Sequence, residues 1–495
     1  MTPPVVALTI IAIVIVSVIV LASFSVRGVL MNPEQYIVGG RSFGSLLLWL
    51  LMAGEIYTSF TFLGAAGWAY GKGAPAFYIL CYGPIAYIIS YFLLPPMWRV
   101  AKQYGLLTGP DFFRQRYRST ALGVLVALVG FLFLVPYVTL QLTGLQILLH
   151  LAGYGAFDAT AAVAIAFMLT ALFVFSSGLR GLAWASVAKD ALVLLAVGFV
   201  GIVLPVHFFG SPANAISRVI QAHPHWMTLD VGATGFGTKW FVSTVLLTAC
   251  GFWVWPHSMA ATYSAKSDDA LRRNAIFLPF YNVMLLLVFF AGFTALVVLP
   301  GLRGPAVDQS FMLVVQRYYP PWVLGLLASA GCLAALIPAS SQLLAAASVV
   351  GKNVLGDWLQ VATSDAARTR ATRILVIIVA LLALAFWAYE KTTLVNLLLI
   401  AYSGMTQLLP GVVLAFAWRR TSAWGVGAGI VAGLVVLAVV TTRGLTTLGG
   451  LNIGFLALVA NAAVCVGVSL YSRAPEAAYV DEFAAAAARS SHASG

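Results

Sequence analysis

No charged residue interrupts the chain between Val5 and Ser25, and apolar runs of comparable length recur as far as Tyr471. A run of about 20 apolar residues is long enough to cross the hydrocarbon core of a bilayer as a helix. Inside that core every backbone amide and carbonyl must find its partner within the protein, so only helices and closed barrels are admissible. The runs do not alternate in the roughly ten-residue rhythm of barrel strands. Helices remain. The chain as a whole agrees: 8% of its 495 residues are charged and 61% are hydrophobic, whereas a soluble chain carries about 25% charged residues.

Thirteen spans are predicted. They run from Val5 to Ser25, Gly44 to Gly71, Ala74 to Met97, Leu122 to Ala152, Thr160 to Ser177, Val187 to Phe208 and Trp240 to Tyr263. The rest run from Phe277 to Val298, Trp322 to Leu355, Ile374 to Ala388, Leu394 to Trp418, Gly425 to Val440 and Leu448 to Tyr471. The first lacks a positive leader and an A-x-A site, so it reads as a span rather than a cleaved signal. Residues 1–471 thus form one membrane domain. The alanine- and serine-rich stretch 472–495 is expected to be a disordered cytoplasmic tail.

Placing the N-terminus outside puts Arg99, Lys102, Arg114, Arg116, Arg118, Lys352, Arg368 and Arg370 in inner loops. That asymmetry is the one the positive-inside rule expects for a plasma (inner) membrane protein with a cytoplasmic C-terminus. The net charge of +12 is therefore topological. It is spread over many loops with no aromatic-interleaved patch, so nucleic acid is not an expected partner. The partners expected are the lipid bilayer and a small solute. Cys81, Cys250, Cys332 and Cys465 all fall within spans, without metal-ligand spacing, and read as packing residues. No phosphate-cradling loop or Walker motif appears, and no cofactor is expected. Nor do paired acids or histidine clusters at membrane depth point to an enzyme.

Ionisable groups inside spans are costly and therefore candidates for function. Of the fifteen acids, Glu55 sits plainly within a span, in the stretch Ala53-Gly54-Glu55-Ile56-Tyr57-Thr58-Ser59-Phe60-Thr61. A helix broken there exposes backbone groups to a cation or a carboxylate. The alternative is a polar contact between helices, satisfied by the neighbouring hydroxyls. The seventh span carries a matching interruption from Thr248 to His257. There Gly251 permits unwinding and Pro256 removes a helical donor. Trp253, Trp255 and His257 flank the interruption. Interruptions five spans apart suggest two repeats, about 44–208 and 240–418, with a binding site between them. An ordinary proline kink is the other reading. In the fourth span Tyr137, Gln141 and Gly144 share a helical face that could line a cavity or form a packing seam. Lys189 and Asp190 lie side by side near the inner end of the sixth span.

Several stretches together resemble the sodium:solute symporter family over nearly the whole length. They are Pro33 to Arg41, Thr108-Gly109-Pro110-Asp111-Phe112-Phe113, Tyr263-Ser264-Ala265-Lys266 and Tyr402-Ser403-Gly404-Met405-Thr406-Gln407. Within the family, Tyr57 to Phe62, Pro136 to Gln146 and Gly178-Leu179-Arg180 with Val187 to Asp190 are most similar to bacterial monocarboxylate permeases. The resemblance implies an all-α LeuT-type five-plus-five inverted repeat. It also implies cation-coupled symport of small carboxylates such as lactate, pyruvate or alanine by alternating access. Gly54, Glu55, Thr58, Ser59, Thr61, Tyr137, Gln141, Gly251, Trp253, Trp255 and His257 are then the expected solute-binding residues. No arginine lies at membrane depth, which suits a monoanion better than a dicarboxylate. A channel would need rings of polar groups, which are scarce here. Symport of an amino acid, vitamin or sugar is the other family option.

The resemblance also implies a sodium site between the second and ninth spans. Gly54 and Tyr57 would supply carbonyls, and Ala334 a third. The family's two hydroxyl positions fall on Ile337 and Pro338, whose side chains cannot ligate. Ser340 and Ser341 would serve only with a shifted alignment. Lys189 stands near the place where related transporters keep an acid, and its ammonium could replace the ion and exchange a proton. Proton and sodium coupling both stay open, with Lys189 favouring the proton.

Overall fold

The computed structural model describes residues 2–25, 27–28, 32–156 and 158–488. Apart from the short ladder of Thr447–Leu448 with Leu451–Asn452, regular structure among the described residues is helical. Ten helices there are long and apolar enough to cross a membrane, against thirteen predicted spans. The difference falls on three predicted spans. The second and seventh are broken midway, and the side chains at 171–177 of the fifth are not among those described.

In chain order, α1 (Pro3–Ser25) is followed by α2 (Ser45–Gly54) and α3 (Ala65–Lys72). Between α2 and α3 residues 55–58 leave the helix, and a π-helical turn spans Phe60–Gly64. Next come α4 (Tyr78–Gln103), the short amphipathic α5 (Gly109–Tyr117), α6 (Thr120–Ala152) and α7 (Ala159–Gly198). α7 is two helices joined at Gly178, whose φ of 53° is left-handed. Only glycine takes that conformation without strain, and a Cβ there would also sit 3.0 Å from the Tyr36 ring. The sixth span thus starts nine residues earlier than Val187, at this joint.

The second half opens with α8 (Thr238–Gly251) and α9 (Pro256–Tyr263), separated by residues 252–255. Pro256 sits in the first turn of α9, where its missing N–H costs nothing, and it could not have continued α8. There follow α10 (Asp268–Val283), α11 (Leu285–Val298), α12 (Pro321–Val349) and α13 (Asp365–Tyr389). The last membrane helices are α14 (Leu394–Met405), α15 (Leu409–Ala417), α16 (Ala423–Thr441) and α17 (Ile453–Tyr471).

Burial orders these helices. The span built on α12 is 94% buried and the span of α1 only 28%, so α12 is central and α1 peripheral. α12 packs against α1, α6 and α7. It can do so because its facing residues are small, as helices in lipid require for close approach. α16 and α17 pair through Gly425, Gly429 and Gly433, each of which abuts an atom of α17 or of Gln407.

The tail departs from expectation. Residues 477–488 form α18 (Ala477–Ala488), not a disordered segment, while residues 489–495 lie outside those described. Tyr479, Val480, Phe483 and Ala486 recur at helical spacing and make one apolar stripe. That stripe docks on the C-terminal end of α4 and on Phe112 and Phe416. Alanine richness hid the stripe, because four contact residues suffice when the rest need only be good helix formers.

Candidate functional site

The two helix breaks face one another across the centre of the bundle. At the first, α2 ends because Gly54 must admit another side chain. A Cβ on Gly54 would lie 3.0 Å from both Lys189 Nζ and Ser186 Oγ. Lys189 reaches in from α7 and donates to Gly54 O at 2.6 Å and Tyr57 O at 3.4 Å. Its third partner is Asp190 Oδ1 at 3.0 Å, and neither side chain is more than 2% exposed. Tyr281 on α10 also donates to Asp190 Oδ1, at 3.0 Å. An ammonium carries three protons, so this one is fully engaged.

The Thr58 and Thr61 hydroxyls serve the break itself, while Ser59 Oγ has no hydrogen-bond partner in the protein. Thr61 Oγ1 accepts from Thr58 N at 2.8 Å and donates to Ile56 O at 2.9 Å, and Thr58 Oγ1 accepts from Phe60 N at 3.2 Å. These bonds replace the helical pairs that residues 55–58 give up. Across the gap, Gln141 Oε1 on α6 accepts from Ser59 N at 3.2 Å. Gly144, one turn on, lies directly against the Ser59 side chain.

Glu55 is placed differently. Ser341 on α12 donates to its Oε1 at 2.6 Å, and His257 Nε2 on α9 stands 3.6 Å from its Oε2. Oε2 has no hydrogen-bond partner in the protein, and neither has His257 Nδ1. Both residues line a cavity of about 20 Å³, room for roughly one water. Its other walls include Met52, Tyr137, Trp253, Trp255 and Tyr402. The aromatic walls interlock edge to face: Trp255 with Tyr402 at 5.1 Å between centroids, and Tyr137 with His257 at 5.8 Å. Trp253 is fixed by donating to Ala86 O at 2.7 Å.

The expected site residues thus do not share one place. Glu55, Tyr137, Trp253, Trp255 and His257 share the cavity. Thr58, Ser59, Thr61 and Gln141 are buried beside the first break and are not among the residues lining it. Gly251 closes the end of α8 against Thr406 and Tyr402. Around Lys189, Gly54 and Tyr57 supply carbonyls. Ala334 and Ile337 are buried apolar residues of α12. Ser340 donates to Leu336 O of its own helix at 2.7 Å, and Ser341 is turned to Glu55. A sodium ion prefers several oxygen ligands. Here the carbonyls of the break are taken by an ammonium and the hydroxyls point elsewhere, so the residues present do not fit the ion at this place. Phe252, Ser258 and Tyr402 line the cavity although none was singled out for it. Tyr402 opens one of the recognisable stretches, but only the approach of α14 to α8 brings it to this wall.

The sequence matches the family described as "Sodium:solute symporter family" over residues 36–433. It is 41% identical to an uncharacterized symporter, YhjB, of Bacillus subtilis over 92% of this chain and 95% of the relative. It is 28% identical to a monocarboxylate transport permease protein of Rhizobium johnstonii, over 90% of this chain and 92% of the relative. Among solved structures it is similar to a substrate-bound, outward-open, sodium-coupled sialic acid symporter. The TM-score is 0.78 at 16% identity, covering 95% of this chain and 98% of the other. That likeness concerns the fold, which is of the LeuT type.

Proposed function

Because this chain belongs to the sodium:solute symporter family, a family of cation-coupled symporters, we propose that it carries a small monocarboxylate across a plasma membrane by alternating access, coupled to protons. Lys189 supports the coupling. Its ammonium occupies the carbonyls of Gly54 and Tyr57, which the family resemblance assigns to sodium. A positive charge at that point does the electrostatic work of a bound cation, and proton coupling requires that charge to leave and return during the cycle.

The solute would bind between the breaks, in the cavity bounded by Glu55, His257, Tyr137 and Trp255. A volume of about 20 Å³ is too small for a carboxylic acid, so the walls must part for it, and parting on alternate faces is what the two broken helices allow. The relative that transports monocarboxylates supports the solute class. With the N-terminus outside, the face bearing α5 and α18 is cytoplasmic, in keeping with the arginines of that face.

Uptake of lactate into proteoliposomes, with a proton or a sodium gradient imposed singly, tests this reading. Accumulation driven by protons and indifferent to sodium is expected. Accumulation driven by sodium alone overturns the coupling. Equilibration without accumulation under either gradient would make the protein a passive facilitator.

A further inference from the structure

The cavity contains one carboxylate, and that carboxylate has one oxygen to spare. Glu55 Oε1 accepts from Ser341, while Oε2, on a residue that lines the cavity, has no hydrogen bond in the protein. In its ionised form, which this reading takes for the solute-bound state, Glu55 only accepts, and a buried acceptor left unpaired is expensive. Beside it, α9 begins at Pro256, with Trp255 as its cap. The amides of His257 and Ser258 therefore belong to the first helical turn, where donors lack intrahelical partners, and both residues line the cavity. His257 Nδ1, on a side chain only 4% exposed, is also without a partner. An acceptor and the free amides of a helix start thus adjoin, with 3.6 Å between Glu55 Oε2 and His257 Nε2.

We propose that the transported solute must carry a hydrogen-bond donor on the carbon next to its carboxylate. Its class is then the short 2-hydroxy and 2-amino acids, and Glu55 is the residue that selects them. The inference rests on the reading of this cavity as the solute site. The solute carboxylate meets the first turn of α9, where donors and the helix dipole favour an anion. The substituent on the adjacent carbon then falls on Glu55 Oε2. A hydroxyl or ammonium satisfies that oxygen. A methylene hydrogen leaves it desolvated and unpaired, and a keto oxygen sets two acceptors against each other. A site built around a solute donor discriminates strongly against analogues that lack one.

Competition against labelled L-lactate in proteoliposomes, using L-alanine, pyruvate and propionate, provides the test. Propionate and pyruvate are expected to compete at least tenfold more weakly than L-alanine and unlabelled L-lactate. Glu55→Gln offers an amide that can turn a donor inward, so it is expected to narrow the gap and raise pyruvate relative to lactate. Equal competition by all four in the native protein overturns the donor requirement and leaves the monocarboxylate reading standing. An unchanged order of preference in Glu55→Gln overturns the role of Glu55. Failure of lactate itself to be transported overturns both readings.

Discussion

Lys189 has three protons to donate and three acceptors within reach, and that saturation makes it decisive. Its removal strands Asp190 in the interior with Tyr281 as remaining partner. Breaking a buried pair costs about 3–5 kcal/mol. Lys189→Ala is therefore expected to insert in the membrane, melt at lower temperature and fail to accumulate solute. Adding Asp190→Asn should restore much of the stability but none of the coupling, as a thermal shift and an uptake assay on the same preparation would reveal. Normal accumulation by the single variant would sink the coupling role. Glu55 shows the same principle in reverse. The role proposed for it rests on the partner it lacks at Oε2 rather than on the one it has at Oε1.

α5 and α18 are elements whose order depends on a few contacts outside the membrane. Asp111, in the first turn of α5, accepts from Leu107 N and Thr108 N at 2.9 Å each, and from Lys352 Nζ and Asn353 Nδ2 at 2.6 Å each. Burial by itself would raise the pKa of its carboxyl, but the Lys352 ammonium and these donors outweigh burial and hold it below the ordinary carboxylate value. A depressed pKa stabilises the fold above the unfolded value, and that contribution is lost only as pH falls through the lower, folded one. Asp111→Asn is expected to cost about 1.5–3 kcal/mol at neutral pH, measurable as a fall in Tm. Against α5 lies α18, whose Phe483 packs on Phe112 and under the guanidinium of Arg116. Phe483→Ala should weaken docking by about 2 kcal/mol and expose the linker at Arg473. Faster tryptic cleavage there, with the membrane core still intact, is the expected sign. A cleavage rate equal to that of the native protein would show that α18 is held by the ion pair of its Asp481 with Arg419 instead.

At the scale of the whole molecule, the end opposite α18 is closed by one buried acid. Asp308 accepts from Leu394 N at 2.8 Å, capping α14, and it lies against the backbone of Gly67 in α3. Nearby, Trp68 of α3 donates to Thr393 at 3.2 Å. The loop before α12, α3 and α14 thus meet at a single carboxyl. Burial raises its pKa to about 7, only partly countered by the Leu394 amide. An acid whose pKa rises on folding binds its proton more tightly when folded. Its contribution is full below the ordinary Asp value and is lost as pH climbs through about 7. Thermal stability in detergent should therefore fall between pH 5 and pH 8, and Asp308→Asn should flatten that dependence. A slope unchanged in the variant would place the titrating group elsewhere.

The membrane class, the helical content and the paired breaks were legible in the sequence. Hydropathy, the ban on unpaired amides in lipid, and the Gly-Pro interruption from Gly251 to Pro256 all act locally along the chain. That Ile337 and Pro338 lack ligating side chains was also legible, whatever the fold. Which hydroxyls face a solute was not. Thr58 and Thr61 have the chemistry of a binding site, yet the unwound backbone beside them consumes their hydrogen bonds first. The order of the tail was hidden because α18 is stable only against Phe112, Phe416 and the end of α4, residues about 60 to 390 positions away. Local pattern decided where helices form and where they must break. Tertiary structure decided which polar group reaches which partner, since that depends on helices approaching from distant parts of the chain, as Lys189 does at Gly54 and Ser341 at Glu55.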